Sequence, residues 1–249
     1  ASGNLLTATD ALASTLAFTY NAAGQVLTTT DARGAVTTNA YDAQGNLVQM
    51  TDALGAVTTY AYDAVGRRVS RTDALGRVIL TTYDANDNVL VTTDPALKTV
   101  TVTYDGNGNR LTVTDKRGNT TAFAYDMKDL LTTTTDPLAG IVTNAYDAID
   151  RRISVTDRLG RMTQFAYNLV GDLTSATNAL GQATQFTYDG NGNRLTTVDA
   201  LGNASSTTYD ALNRSAATTD PLGNVTASAY DGLGRVTSVT NAKGQVTAF

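Results

Sequence analysis

The sequence predicts an all-β chain, an up-and-down antiparallel meander with two strands in every 21-residue repeat. Three observations predict it. A tyrosine recurs at an unbroken interval of 21 from Tyr20 to Tyr230. Two turn-forming tetrads fall within each interval, with the form D-A-x-G in the clearest copies, as at Asp42–Gly45 and Asp52–Gly55. The composition disfavours helices, because nearly a fifth of the residues are threonine, 21 are glycine and none is glutamate. Threonine fits a pleated sheet better than a helix, and glycine weakens helices.

The tyrosine column is Tyr20, Tyr41, Tyr62, Tyr83, Tyr104, Tyr125, Tyr146, Tyr167, Tyr188, Tyr209 and Tyr230, and each is followed by Asp or Asn. A second Asp or Asn column lies ten residues before each tyrosine. The unit reads Y-D-A-x-G-[NR]-x-x-x-x-T-D-A-L-G-x-x-T-x-x-x, most clearly from Tyr41 to Ala61. Repeats at a fixed period mark repeat architectures, here about twelve units in one continuous array over residues 1–249 with no separate catalytic or cargo domain.

Each tetrad is a turn. Aspartate in the first position accepts a hydrogen bond from the backbone two residues on, and glycine adopts the left-handed conformation that closes the turn. Asp42 and Asp63 open first turns; Asp52, Asp73, Asp94, Asp136 and Asp220 open second turns. Pro95, Pro137 and Pro221 each follow a second-turn Asp directly, where a type I turn needs φ near −65°. The remaining residues of the unit suffice for two strands of ordinary length.

Alternation assigns the faces. Phe18, Tyr60, Phe123, Phe165, Phe186 and Phe249 all stand two residues before a column tyrosine or its expected place, so the aromatics share one face of the second strand. Val36, Val57, Val78, Ile141, Met162, Val225 and Val246 lie on the opposite face. The first strand carries a weaker apolar column, Leu27, Val48, Val69, Leu90, Leu111, Ile153 and Leu195. Neither face reads as a thick core. About 24 strands at about 4.8 Å would span on the order of 110 Å, and a twisted open sheet of that width is expected to coil.

The composition excludes several chemistries. No Cys and no His are present, which removes disulfides, thiolate or imidazole metal ligation and the Ser–His–Asp relay. No cofactor is expected. The formal net charge is −5 and no basic stripe is present, which disfavours nucleic acid. No apolar run reaches the roughly 20 residues of a membrane span. The Asp columns are not read as catalytic pairs, because they lie at opposite ends of strands, roughly 20 Å apart, and recur in every unit. Calcium ligation lacks the Gly-Gly-x-Gly-x-Asp pattern. The cluster of Tyr60, Tyr62, Asp63, Arg67, Arg68 and Arg71 reads as a solvated strand face. Asn119, Asn203, Asn213 and Asn224 begin N-x-[ST] sequons, which a threonine-rich chain contains by chance.

Y-D-A-x-G-R at Tyr62–Arg67, its variant at Tyr230–Arg235, and T-D-A-L-G at Thr51–Gly55 and Thr72–Gly76 resemble the Rhs/YD-repeat family. The resemblance covers essentially the whole chain. It implies a β-strip of YD repeats coiled into a spiral or hollow shell, as in polymorphic toxins, toxin-complex cocoons, wall-associated proteins and teneurins. It further implies a secreted or cell-surface bacterial protein without enzymatic activity. Its partners would be flanking repeats or a cargo polypeptide of the same protein, enclosed by the shell. The alternative function is an adhesin or carbohydrate-binding array using the aromatic columns.

Departures from the pattern sit in the turns. Asp87, Asp129, Asp150 and Asn213 replace the first-turn glycine, and Leu97 and Ala139 replace the second-turn glycine. Gly140 follows Ala139, so a reshaped turn is the expectation there. No repeat-terminating core that would cleave a shell from its cargo is read, so repeats alone are expected. Open strand edges near Ala1 and Phe249 would template further pairing, which predicts head-to-tail self-association.

Overall fold

The computed structural model describes residues 3–11 and 14–249. Twenty-four strands and no helix occur among the described residues. The expected edge at Ala1 lies outside them. Contacts group the chain into two units, Ala1–Phe123 and Ala124–Phe249, with the boundary inside the strand Thr120–Tyr125.

In each unit the strands follow one another as an antiparallel meander, in step with the 21-residue repeat. A five-residue first strand such as Leu47–Thr51 is followed by a six-residue second strand such as Val57–Tyr62. Around the second turn the register is Thr51↔Val57, Met50↔Thr58 and Gln49↔Thr59. Around the next first turn it is Thr59↔Thr72, Tyr60↔Arg71, Ala61↔Ser70 and Tyr62↔Arg68, with a bulge between Ala61 and Tyr62. The second unit repeats this, with Ser175↔Gln185 on one side of a second strand, Gln185↔Val198 on the other, and a bulge at Thr187/Tyr188. Each hairpin therefore zips from its own turn, and Thr59 or Gln185 stands in the middle where both ladders meet.

This register puts the first-strand apolar column on the aromatic face. Phe18 pairs with Thr29, two residues from Leu27, and Phe186 pairs with Thr197, two residues from Leu195. Phe18, Tyr60, Phe123, Phe165 and Phe186 are half-buried and Phe249 is exposed, whereas Val36, Val57, Val78, Ile141, Met162, Val225 and Val246 are exposed on the other face. No hydrophobic side chain among the described residues is fully buried, and Thr58 is the single buried polar residue among them. Within each unit, cohesion therefore rests on ladder and turn hydrogen bonds rather than on a buried core.

Candidate functional site

The recurrent chemistry lies at the turns and around the column tyrosines. In the first turn at Asp42, the Asp42 N–H donates to the Asn46 carbonyl at 3.0 Å and the Gly45 N–H donates to the Asp42 carbonyl at 3.1 Å. Gly45 has φ of 89°. This is a type I turn followed by a left-handed residue, a compact three-residue hairpin connection. The carboxylate locks it: Oδ1 accepts from the N–H groups of Gln44 and Asn46, and Oδ2 accepts from the Asn46 side-chain amide.

The structure places all seven sequence-predicted turn aspartates in this arrangement. Asp52, Asp63, Asp73, Asp94, Asp136 and Asp220 each accept two backbone N–H bonds on Oδ1. Hydrogen bonds to the ionised form, led by the Lys116 side chain for Asp94 and the Asn224 amide for Asp220, outweigh burial and hold Asp42, Asp63, Asp73, Asp94, Asp136 and Asp220 below the ordinary carboxylate pKa. For Asp42 the Asn46 amide contributes most; for Asp63 and Asp136 the backbone N–H groups of Arg67 and Gly140 do. Oxygens so occupied are spoken for by their own turn. No group of three or more acidic residues able to hold a metal ion occurs among the described residues.

Leu97 and Ala139 adopt φ of 60° and 62°, as do Asp87, Asp129, Asp150 and Asn213 at 60–69°. The turn at Ala139 is not reshaped. Asp136 N–H still bonds the Gly140 carbonyl, and Ala139 N–H bonds the Asp136 carbonyl. Gly140 instead occupies the position that follows the left-handed residue. Its missing side chain leaves room for the Asp136 carboxylate, whose Oδ2 would stand 2.6 Å from a Cβ there.

A pairing rule inside the turns escaped the sequence reading. Where Asn replaces Asp, its Oδ1 takes over both backbone bonds, leaving the amide as a donor. The residue four positions on is then an acceptor in every such turn: Gln25 after Asn21, Asp172 after Asn168, Gln182 after Asn178 and Gln245 after Asn241. After Asp the same position is a side-chain donor in many turns, such as Asn46, Arg67 and Asn193, and an apolar residue in others, such as Ala35, Ala56, Leu130 and Gly140. Aligning the repeats column by column would have exposed this swap. It also explains the sequon asparagines: Asn119, Asn203 and Asn224 are the donors to Asp115, Asp199 and Asp220.

The column tyrosines do more than stack. The hydroxyls of Tyr20, Tyr41, Tyr62, Tyr83, Tyr104, Tyr146, Tyr167, Tyr188, Tyr209 and Tyr230 each donate to the backbone carbonyl fifteen residues earlier, at 2.6–3.2 Å. Except for Leu5, which precedes the strand Thr7–Thr9, the acceptor is the residue at the start of the first strand, beyond the last ladder pair of that hairpin. Tyr62, for example, bonds Leu47, while the ladder ends at Gln49↔Thr59. Each hydroxyl thus closes the gap where neighbouring hairpins diverge. Tyr125 is half-buried at the boundary of the two units.

Arginine adds a second link between repeats. Arg67 donates to Asp63 Oδ2 at 2.7 Å, to the Asp84 carbonyl at 2.6 Å and to Asp87 at 2.8 Å, and its guanidinium lies 4.9 Å from the Tyr83 ring centre. Arg151 and Arg214 do the same to Asn168 and Tyr167, and to Asp231 and Tyr230. Arg67 is therefore a connector between consecutive turns rather than part of a solvated strand face. Arg68, Arg152 and Arg194 lie over Tyr60, Phe165 and Phe186 at 5.3–5.7 Å, so these aromatic rings are covered by cations.

The RHS repeat family model matches residues 1–36, 41–78, 62–99, 83–120, 104–141, 167–204, 189–225 and 209–246. The chain belongs to the RHS repeat family. Its matched segments begin on or beside column tyrosines at 41, 62, 83, 104, 167, 189 and 209, so the family's unit is the strand–turn–strand–turn unit seen here. No curated protein matches the chain. Among solved structures, the crystal structure of TcdB2–TccC3 matches 91% of this RHS repeat chain with a TM-score of 0.59 at 17% identity. The crystal structure of TcdB2–TccC3 without its hypervariable C-terminal region matches 94% with a TM-score of 0.56 at 16% identity. These likenesses establish the fold. The chain spans 12% and 16% of the length of those two neighbours. No helix among the described residues is long and apolar enough to cross a membrane.

Proposed function

We propose that this RHS repeat segment is structural and non-enzymatic: a stretch of wall that encloses a cargo polypeptide of the same protein, or forms an extracellular scaffold. The observation that carries the reading is the way the repeat invests its chemistry. The turn carboxylates lock turns, the tyrosine hydroxyls join hairpins, and Arg67, Arg151 and Arg214 join turns. A ligand site would need some of these groups free; a wall needs them committed to one another. The partners on this reading are flanking repeats, which pair onto a terminal strand in the same register, and the enclosed chain. A second copy could add head-to-tail in the same way.

The test is limited proteolysis of the longer natural protein that carries this segment. The enclosed polypeptide should resist protease while the repeats are intact and become cleavable when Tyr188 and Tyr209 are both changed to Ala. Equal cleavage before and after would reject enclosure and leave the open scaffold.

A further inference from the structure

In several repeats the chain itself fills the gap between consecutive first turns. Arg151 shows the pattern. Its guanidinium donates to Asp147 Oδ2 at 2.7 Å and to the Asn168 carbonyl of the next turn at 3.0 Å, and lies 4.8 Å from the Tyr167 ring centre. Arg214 sits in the same way against Asp210, the Asp231 carbonyl and Tyr230. In the gap over Tyr41, Gln25 reaches across to the Gly45 carbonyl instead. In the gap over Tyr62 the corresponding residue is Asn46, which is too short to cross. Its amide donates to Asp42 Oδ2 at 3.0 Å, the role that Nε plays in Arg151. The space that the rest of a guanidinium takes in the other gaps is here an open cleft of about 540 Å³, lined by Asp42, Asn46, Val48, Tyr62, Asp63 and Val65 among others.

We propose that this cleft binds the guanidinium of an arginine side chain presented by another polypeptide. The groups that the turns leave over are acceptors. Asn46 Oδ1 points towards Gly66, 3.7 Å from where a Cβ would stand, and accepts no hydrogen bond among the described residues. The Asp63 carbonyl accepts the Gly66 N–H at 3.1 Å. A carbonyl in this place takes a guanidinium as well, because Asn168 accepts from both Gly171 and Arg151. Among the described residues no arginine covers the Tyr62 ring, whereas Tyr83, Tyr167 and Tyr230 each carry one. Two acceptors beside an aromatic face and an aspartate select a cationic donor. A guanidinium suits them better than an ammonium, because it stacks flat on a ring while donating from its edge. Val48 and Val65 at the sides suit the methylene stem of arginine. The template is internal to the chain: Arg151 and Arg214 already make the proposed contacts on the same backbone two turns apart. The inference is independent of enclosure, since it uses a ring face and lone pairs that the turns do not consume.

The test is NMR of the full chain with labelled tyrosine rings, the Tyr62 and Tyr83 resonances being assigned by their absence from Tyr62→Phe and Tyr83→Phe. The probe is N-acetyl-arginine methylamide, which presents the side chain as a polypeptide does. It should shift the Tyr62 ring saturably, with Kd on the order of 1 mM for one stacked, partly exposed guanidinium. The Tyr83 ring, already covered by Arg67, should not shift. The citrulline counterpart of the probe keeps the shape without the charge and should bind about tenfold more weakly or worse. Asn46→Arg places the chain's own guanidinium in the cleft, so it should abolish the shift at Tyr62 and raise the thermal midpoint. Any of four results would overturn the proposal: no saturable shift at Tyr62, an equal shift at Tyr83, an equal response to the citrulline probe, or undiminished binding by Asn46→Arg. Markedly tighter binding of free L-arginine than of the capped probe would overturn the polypeptide source. If Asn46→Arg fails to fold, the two probes on the unaltered chain decide.

Discussion

The hydroxyl of Tyr188 donates to the backbone carbonyl of Leu173 at 2.9 Å, across a hairpin whose ladder ends at Ser175↔Gln185. The next ladder, Gln185↔Val198 to Tyr188↔Arg194, turns the C-terminal half of the second strand towards the other neighbour. Without the hydroxyl, the Leu173 carbonyl would lose a protein partner at the point where the sheet parts. Tyr188→Phe keeps the ring and removes that bond, so it should cost about 0.5–1.5 kcal/mol. Tyr188→Ala should cost more, because the half-buried ring is lost as well. Urea unfolding midpoints of the two variants check this. Equal losses would assign the whole contribution to the ring.

Leu97 holds a left-handed conformation, φ 60°, that glycine fills in most second turns. An L-residue pays roughly 1–2 kcal/mol there, partly offset by the greater chain freedom of glycine in the unfolded state. Leu97→Gly should therefore stabilise the chain by about 0.5–1 kcal/mol, and Gly181→Ala, at φ 75°, should destabilise by a similar amount. Thermal midpoints of both variants are the measurement. A destabilised Leu97→Gly would mean that the side chain has a packing role.

The strands and turns were legible because both are short-range. A turn needs an Asp, a backbone and a left-handed residue within five positions, and alternation then fixes the faces. Tyr62 was legible as a column but not as a donor, because its acceptor, Leu47, is a carbonyl that every residue possesses. Arg67 looked solvated in sequence because its partners Asp84 and Asp87 lie a full repeat away, next to a different tyrosine. The Asn178–Gln182 swap was legible in principle, since the two residues stand four apart and covary across repeats within this one chain. At Ala139 the shifted glycine suggests a reshaped turn, yet the hydrogen bonds of Asp136 keep the ordinary turn in place.

Arg214 reports on coupling between repeats. It bonds Asp210 within its own turn, reaches the Asp231 carbonyl at 3.1 Å and lies 4.5 Å from the Tyr230 ring centre. Its local ion pair is half-buried, and the stacking and the long reach should add to its effect. Arg214→Lys keeps the charge but not the planar fork, and should lose most of what Arg214→Ala loses, about 0.5–1 kcal/mol. Full retention of stability by the lysine variant, in matched denaturant melts, would reduce the interaction to charge alone.

The same turns make stability depend on acid. Asp189 is held below the ordinary value of 3.8, first by the Asn193 side-chain amide and then by backbone N–H groups. A carboxylate whose pKa is lower folded than unfolded contributes stability that is fully present above the unfolded value. That contribution is lost as pH falls through the folded value. Asp105, Asp115, Asp199 and Asp231 are lowered in the same direction, so the losses accumulate in one window, below about pH 4. The chain already contains the uncharged solution in Asn178–Gln182, whose amide keeps both backbone bonds without an ionisable group. Converting Asp189 and Asn193 together to Asn and Gln should leave the urea midpoint near its wild-type value at pH 7 and flatten its fall between pH 4 and pH 2. Asp189→Asn alone should be worse at pH 7, because the new amide would face the Asn193 amide donor to donor. If the double variant loses stability with acid as steeply as the wild type, Asp189 does not contribute to the acid transition and the loss must come from the other turns.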